Sequence, residues 1–251
     1  MEPATYSVIL PAYNESARIA ATLDKILVHA AQSGWKVEVI VVNDGSSDDT
    51  AEIVGEYARK YAVLRLLENP GNRGKGFSVR NGILHATGDI LLFSDADLSS
   101  PIEEADKLFA AIAKGADIAI GSRWMDRRLQ IRTQPLHRRL FGRIFNLALR
   151  VILDLQFKDT QCGFKAFTRR SAQAIFPLQK IERWGFDPEL LYLAERFGFT
   201  IAEVPVAWAH REGTRIHPLR DGIRMFIELL KVRWFALRGD YNRSIAVSQP
   251  L

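Results

Sequence analysis

The chain has 251 residues, of which 47% are hydrophobic and 25% are charged, a composition typical of one large α/β domain with a substantial core. Its single cysteine, Cys162, excludes an internal disulfide framework and a cysteine-rich zinc site. No apolar stretch approaches the roughly 18 residues of a spanning helix, and residues 1–6 lack the layout of a signal peptide. We therefore expect a cytoplasmic protein, either soluble or peripheral on a membrane.

Apolar runs rich in Val, Ile and Leu alternate with helical patterns through the first half of the chain. The predicted strands are Tyr6–Leu10, Val37–Val42, Val63–Leu67, Ile90–Phe93 and Asp117–Ile120. The predicted helices are Glu15–His29 with Asn14 as its N-cap, Asp48–Tyr61, Gly76–Ala86 and Pro101–Lys114. Strands that are apolar throughout and alternate with helices are typical of a parallel sheet covered on both faces, so we predict an α/β fold with a mostly parallel sheet.

The pattern changes after about residue 122. An arginine-rich loop is followed by a predicted long helix near Pro135–Leu153, a short α/β stretch to about residue 208, and a last helix near Leu219–Leu237. This last helix places apolar residues along one side with cations around them: Ile223, Phe226, Ile227, Leu230 and Trp234. Basic amphipathic helices with aromatic residues can lie in a bilayer interface, so we expect membrane contact. The alternative is packing against the rest of the chain or a second subunit.

The formal net charge of +5 is unevenly distributed. Residues 123–150 contain eight arginines against one acid, and residues 210–238 contain seven Lys or Arg against three acids, so the rest of the chain is net acidic. An acidic body with two basic patches indicates an anionic partner at the patches. A solvated basic helix face is the alternative interpretation.

Four polar clusters each follow a predicted strand directly. They are "PAYNE" at 11–15, "NDGSSDDT" at 43–50, "SDAD" at 94–97 and "GSR" at 121–123. In an open parallel sheet these positions all lie at the carboxyl edge, where such folds bind ligands. We therefore expect the clusters to converge on one crevice.

Two carboxylates, Asp95 and Asp97, stand one residue apart at the end of the strand Ile90–Phe93. Unpaired, they would raise each other's pKa, so a positive charge is expected beside them. Mg²⁺ usually binds one or two carboxylates together with substrate phosphates, which predicts a metal that carries a diphosphate at this turn. Two solvated loop acids are the alternative interpretation.

Two further segments have both a functional and a structural interpretation. "GNRGKG" at 71–76 lacks the Walker pattern of phosphate loops, and it is either a cationic loop that covers a donor's phosphates with Arg73 and Lys75 or an ordinary glycine-rich connection. Asp44, in "NDGS", is either an acceptor for the base or ribose of a nucleotide or part of a capped turn.

Taken together, these segments resemble the inverting glycosyltransferases of family 2 with the GT-A fold. The resemblance rests on "PAYNE", "VNDGSSDDT", "SDADLSSP" and "GSR", in this order and spacing. More narrowly, "KDTQCGFKAF" at 158–167 and "RWGFDPELLYLA" at 183–194 resemble the dolichyl-phosphate β-glucosyltransferase and polyprenyl-phosphate glycosyltransferase branch. The resemblance implies a GT-A domain over 1–210, with a nucleotide-sugar half 1–122 and an acceptor half 123–210, then an amphipathic extension 211–241 and a flexible tail 242–251.

The resemblance also implies ligands and the residues that bind them. The implied donor is a UDP-sugar or GDP-sugar, the acceptor is a polyprenyl or dolichyl phosphate, and the cofactor is Mg²⁺ or Mn²⁺. The donor-binding positions that the resemblance implies are Pro11, Tyr13, Glu15, Asp44 and Asp95, and the implied metal ligands are Asp95 and Asp97. The cationic loop adds Lys75 to the predicted donor-binding residues. The acceptor phosphate is assigned to Arg138, Arg139, Arg211 and Arg215, and catalysis to Asp97, Arg123 and Asp187. A membrane surface is an expected partner, nucleic acid is not, and a homo-oligomer is left open.

The expected mechanism follows from the acceptor. A polyprenyl monophosphate is already an anionic nucleophile, so no strong base is required, and the enzyme has to position two phosphates and neutralise the leaving diphosphate with metal and arginine. If the acceptor were a glycan hydroxyl, Asp187 would be the candidate base; otherwise it caps the helix that begins near Pro188. A catalytically silent binding module is a third interpretation. The transferred sugar is a hexose, with glucose favoured by this branch.

Overall fold

The computed structural model describes residues 4–132, 148–209 and 218–242 of the chain. Within these residues the main sheet has seven strands in the order β3-β2-β1-β4-β7-β5-β8, and β6 and β9 form a separate pair. The strands are β1 Thr5–Ala12, β2 Lys36–Asn43, β3 Leu64–Glu68, β4 Ile90–Ser94, β5 Ile118–Ser122, β6 Gln130–Arg132, β7 Phe164–Thr168, β8 Ile201–Pro205 and β9 Trp208–Ala209. The five strands predicted from the first half of the chain are confirmed.

The helices lie between these strands in chain order, except the last, which follows the last strand. They are α1 Ile19–Gln32, α2 Thr50–Lys60, α3 Lys75–His85, α4 Ala105–Ala113, α5 Arg169–Ile175, α6 Phe186–Arg196 and α7 Pro218–Leu237. Residues 148–153 are also helical, and the rest of the helix predicted near Pro135–Leu153 lies outside the described residues. None of the helices within the described part of the chain is both long and apolar enough to cross a bilayer.

The sheet is mostly parallel, as predicted, but one strand runs against the others. β1 is parallel to β2 and β4, and β5 is parallel to β8, whereas β7 is antiparallel to both β4 and β5. Phe164, the first residue of β7, therefore pairs with Ser94, the last residue of β4. The reversal brings the segment that precedes β7 to the carboxyl edge of the sheet.

The core has two layers, one on each face of the sheet. Successive residues of a strand point to opposite faces, so Val8 and Leu10 of β1 pack with α1, α2 and α4, while Ile9 packs with α3 and α6. The inner side of α7 belongs to the Ile9 layer, where Leu229 and Val232 are fully buried. α7 is therefore held against the sheet domain by its apolar side chains.

The first helix begins later than the sequence predicts. Asn14, expected to be its N-cap, has a left-handed φ of 53°, and α1 begins at Ile19. The Asn14 N–H donates to Ser46 Oγ at 2.9 Å, and its Oδ1 accepts the Ser47 N–H at 2.7 Å. Asparagine tolerates this conformation better than most residues. Asn14 thus joins the loops after β1 and β2 instead of capping a helix.

Candidate active site

The first two of the four predicted polar clusters meet at the carboxyl edge of the sheet. Ala12 at the end of β1 pairs with Asn43 at the end of β2, so the first two polar clusters emerge side by side. The Glu15 N–H donates to Thr50 Oγ1 at 2.7 Å, and the Asp44 N–H donates to Ala12 O at 2.8 Å. These bonds fix the two loops to each other, as the predicted convergence requires.

Asp44 holds the glycine loop 71–76 in place. Its Oδ1 accepts the Arg73 N–H at 2.9 Å and the Asn69 side-chain amide at 2.8 Å, and its Oδ2 accepts the Gly74 N–H at 2.8 Å. Asp44 is buried. The amides of Arg73 and Gly74, just before α3, therefore bind this carboxylate, which fixes the loop in place.

Lys75, the first residue of α3, reaches from this loop to the predicted metal ligand. Its Nζ lies 2.5 Å from Asp95 Oδ1 and 5.6 Å from the centroid of the Trp184 ring. Burial acts to lower the pKa of Lys75, but the charges of Asp95 and Asp187 raise it above its ordinary value. The ammonium is thus a permanent positive charge at the centre of the site.

Gly163 makes room for the Asp95 carboxylate. The Asp95 N–H donates to Gly163 O at 3.1 Å, so the two backbones are tied together next to the β4–β7 pair. A Cβ on Gly163 would lie 2.5 Å from both Cγ and Oδ1 of Asp95 and would collide with Oδ2. Only glycine allows the carboxylate to lie against this backbone, which accounts for the "QCGF" segment.

Asp97 lies in the same turn as Asp95 and is half-buried. Its Oδ1 accepts the Ser99 N–H at 2.8 Å. Burial, and then the charge of Asp95, raise the pKa of Asp97. Leu98 follows with a φ of 45°, a costly conformation for such a side chain, and is anchored by its own burial. The fold holds two carboxylates together at an energetic cost that a bound cation would relieve.

The residues of this turn fit a divalent cation. The hydrogen bonds and ion pairs of the described residues engage one oxygen of each carboxylate: Asp95 Oδ1 with Lys75, and Asp97 Oδ1 with Ser99. Within the described ranges no group of three or more His, Cys, Asp or Glu side chains could hold a metal. Two carboxylates completed by substrate phosphates are the usual protein contribution to Mg²⁺ binding.

Arg123, at the end of β5, is oriented by a residue that the sequence predictions did not include. Its Nε and one terminal nitrogen bind the two oxygens of Asp159 at 2.7 and 2.8 Å, and its N–H donates to the same carboxylate. Asp159 is buried, and its own N–H donates to Glu203 of β8 at 2.9 Å. Burial acts to lower the pKa of Arg123, but Asp159 and Asp95 raise it. The guanidinium therefore stays charged, and the charge of Asp95 contributes to this.

Asp187 is paired with a buried lysine. The Lys165 Nζ lies 2.5 Å from Asp187 Oδ1 and also donates to Cys162 O at 2.7 Å, and both side chains are buried. Burial raises the pKa of Asp187, while the charges of Lys165 and Lys75 act to lower it. The capping interpretation is wrong, because α6 begins at Phe186 with Gly185 as its N-cap. Asp187 serves as a counter-ion, and its role as a base stays a prediction.

The other predicted residues are divided between the site and the part of the chain that is not described. Pro11 lies in β1, Tyr13 is 38% exposed at the edge, and Glu15 forms an ion pair with Arg18 at 2.7 Å. The four predicted acceptor arginines lie outside the described residues: Arg138, Arg139, Arg211 and Arg215.

Three residues at this edge are missing from the sequence predictions although they stand in the quoted "KDTQCGFKAF" segment: Asp159, Gly163 and Lys165. Each acts on a predicted residue, respectively Arg123, Asp95 and Asp187. The available signal was a charged residue on either side of a glycine in this segment, which the structure places just before and within β7. Their partners are distant in sequence, so the segment alone does not reveal them.

Comparisons with known proteins identify the family of the chain. The model of the Glycosyl transferase family 2 domain matches residues 7–176. The chain is 40% identical to a dolichyl-phosphate beta-glucosyltransferase of Trichomonas vaginalis, over 97% of this chain and 75% of that protein. It is 34% identical to the dolichyl-phosphate beta-glucosyltransferase of Homo sapiens, over 94% of this chain and 77% of that protein.

Solved structures share the fold at lower identity. Glucosyl-3-phosphoglycerate synthase from Mycobacterium tuberculosis, crystallised with UDP, has a TM-score of 0.67 and 24% identity, over 94% of this chain and 80% of that chain. Mannosyl-3-phosphoglycerate synthase from Rubrobacter xylanophilus has a TM-score of 0.70 and 17% identity, over 98% and 79%. The predicted GT-A type of fold is confirmed. On the family match and the identity to these relatives, the chain belongs to glycosyl transferase family 2 and is a glycosyltransferase.

Proposed function

We propose that this chain transfers glucose from UDP-glucose to a dolichyl or other polyprenyl phosphate, with inversion at the sugar and with the assistance of Mg²⁺ or Mn²⁺. The observation that carries the proposal is the cluster of Asp95, Asp97 and Lys75 at the carboxyl edge of the sheet, in a chain 34–40% identical to dolichyl-phosphate beta-glucosyltransferases. The cluster combines two carboxylates for a metal with a fixed cation for a diphosphate.

The donor is bound at this cluster. Asp95 and Asp97 would hold the divalent cation, which would act as a Lewis acid and neutralise charge on the diphosphate. Lys75 supplies a second positive charge from the pinned glycine loop, and Tyr13, exposed at the same edge, is available to the nucleotide. Asp44 supports the donor site through the loop that it binds.

The acceptor brings its own nucleophile. A phosphate oxygen of the lipid attacks the anomeric carbon while the bond from that carbon to the UDP diphosphate breaks, which inverts the configuration there. No general base is required, and Asp187 is already paired with Lys165. Arg123, held rigidly by Asp159, orients the phosphates and stabilises the charge that develops.

We also propose that α7 brings the crevice to a membrane on its cytoplasmic side. The outer face of α7 carries large apolar side chains that are 45% to 75% exposed: Ile223, Phe226, Ile227, Leu230, Trp234 and Leu237. Exposed cations flank them, among them Arg224, Lys231 and Arg233. Apolar insertion flanked by basic residues is the pattern of helices that bind anionic lipid surfaces. Phe235, next to Trp234 in the sequence, is partly buried and packs against the core.

The test is a product assay with several donors and acceptors. The chain is incubated with Mn²⁺ and UDP-glucose, UDP-N-acetylglucosamine or GDP-mannose, together with a short polyprenyl phosphate. We expect release of one UDP per glucosyl lipid formed, only with UDP-glucose and only when the lipid phosphate is present. Equal transfer to a free polyprenol or a sugar hydroxyl would indicate a hydroxyl acceptor. Donor binding without nucleotide release under any condition would indicate a binding module.

A further inference from the structure

The inner face of α7 carries a buried carboxylate. Glu228 is 8% exposed and stands next to the fully buried Leu229. Its Oε2 accepts the Gly185 N–H at 2.8 Å. A carboxylate in an apolar core is costly unless hydrogen bonds compensate for its burial. The bond to Gly185 therefore ties α7 to the segment 181–186 more specifically than apolar packing would.

Gly185 and Glu228 of α7 lie so close together that a side chain at position 185 would collide with Glu228. A Cβ on Gly185 would lie 2.6 Å from Glu228 Oε2 and 2.8 Å from Glu228 Cβ. Both distances are shorter than real Cβ atoms tolerate, so only glycine permits this contact. The segment 181–186 is thus in direct contact with α7 at Gly185.

The same segment also contacts the glycine loop of the candidate active site, through Glu182. The Phe77 N–H donates to Glu182 O at 2.9 Å, and a Cβ on Gly74 would lie 2.6 Å from that oxygen. Trp184 extends from the segment towards Lys75, whose Nζ is 5.6 Å from the ring centroid. The segment is therefore held between α7 on one side and the loop that carries Lys75 on the other.

We propose that Glu228 is a positioning residue for donor binding. Its hydrogen bond with the Gly185 N–H holds the segment 181–186 against the glycine loop and thereby keeps the Lys75 ammonium beside Asp95. The inference rests on the proposed function, because the donor diphosphate is the ligand that Lys75 and Asp95 serve. It also makes α7 a contributor to the donor site through Gly185.

The experiment measures UDP affinity by calorimetry in the presence of Mn²⁺. We expect Glu228→Ala to weaken UDP binding about tenfold, the scale of a lost hydrogen bond to a charged group. Glu228→Gln should stay within about twofold of the unmodified protein, because its amide oxygen still accepts the Gly185 N–H. Val232→Ala, on the same buried face of α7, should lower thermal stability and leave UDP affinity unchanged.

A double-mutant cycle with Lys75→Ala shows whether Glu228 acts through Lys75. In the Lys75→Ala background, Glu228→Ala should cause little further loss of UDP affinity. Equal losses in both backgrounds, or unchanged affinity in Glu228→Ala alone, would overturn the positioning role. A loss in Glu228→Gln as large as in Glu228→Ala would do the same. If the unmodified protein fails to bind UDP, the proposed function falls first and the positioning role falls with it.

Discussion

The Gly163→Ala substitution is expected to disable the site through a single methyl group. Its Cβ would lie 2.5 Å from Cγ and Oδ1 of Asp95, whereas ordinary contacts begin at 3.4 Å. The backbones of residues 95 and 163 are held together by the bond from the Asp95 N–H to Gly163 O at 3.1 Å. The Asp95 carboxylate therefore has to move by roughly 1 Å, away from the position in which it pairs with Lys75.

The magnitude follows from this displacement. A misplacement of about 1 Å at a reacting centre can reduce catalysis about 100-fold, so we expect kcat/KM for glucose transfer to fall by this order. Overpacking should also lower the free energy of unfolding by about 1–3 kcal/mol. Initial rates with UDP-glucose and a short polyprenyl phosphate, measured across a Mn²⁺ titration, report the first effect. Denaturant unfolding reports the second.

Gly222→Ala in α7 is the matched control, since among the described residues no atom outside the adjoining stretch of α7 lies within 4 Å of its added Cβ. The alanine should favour the helix by up to about 1 kcal/mol and leave kcat/KM unchanged. Normal kcat/KM and normal Mn²⁺ dependence in Gly163→Ala would refute the reasoning that this glycine sets the position of the Asp95 carboxylate.

Three further predictions concern the metal ligand, a buried carboxyl and the outer face of α7. Asp97→Asn should remove most transfer activity, as EDTA should. The free energy of unfolding measured with denaturant should not fall, because burial and the charge of Asp95 already disfavour the ionised form of Asp97 and raise its pKa. Burial raises the pKa of Glu189 to about 7 from an ordinary 4.5. Between these two pH values the native state retains a proton that the unfolded state releases, so the free energy of unfolding should fall as the pH rises from about 4.5 to 7. The Tyr241 hydroxyl donates to Glu189 at 2.6 Å and favours its ionised form, so Tyr241→Phe should cost about 1.5–3 kcal/mol at pH 8 and less at pH 5. Replacing Trp234 and Leu237, which are 50% and 75% exposed, by Ser should reduce sedimentation with anionic vesicles without lowering turnover of a short, soluble acceptor.

Each of these predictions has an outcome that contradicts it. Full activity in the presence of EDTA would exclude the metal role of Asp97. An equal cost of Tyr241→Phe at both pH values would show that the hydroxyl does not distinguish the two forms of Glu189. Unchanged vesicle binding of the Trp234 and Leu237 double mutant, with loss of thermal stability or of an oligomer, would show that the outer face of α7 is covered by protein.

Much of the fold could be predicted from local patterns. The apolar run Ile90–Phe93 must be buried on both faces, so it becomes a central strand, and the polar residues that follow must lie at the strand end. The same reasoning correctly located the first five strands and the carboxyl-edge loops. It succeeded because periodicity and strand-end polarity depend on neighbours in sequence, which the chain itself displays.

The pairing of distant residues could not be predicted in this way. The reversed direction of β7 depends on the edges that β4 and β5 offer it, and it alone brings Gly163 against Asp95. The Arg123–Asp159 and Lys165–Asp187 pairs likewise join residues on different elements. Such contacts depend on how strands are ordered, which the local pattern of each strand does not specify.

The sequence by itself therefore indicated candidate residues for the chemistry, while the tertiary structure decided which partners hold them. Asp95 and Asp97 stand out because adjacent carboxylates at a strand end require a cation. Lys75, Arg123 and Asp187 take their observed partners only when the glycine loop, β5 and α6 meet at one edge. The physical reason is that the cost of burying a charge is local, whereas the opposite charge that compensates for it is supplied by another part of the chain.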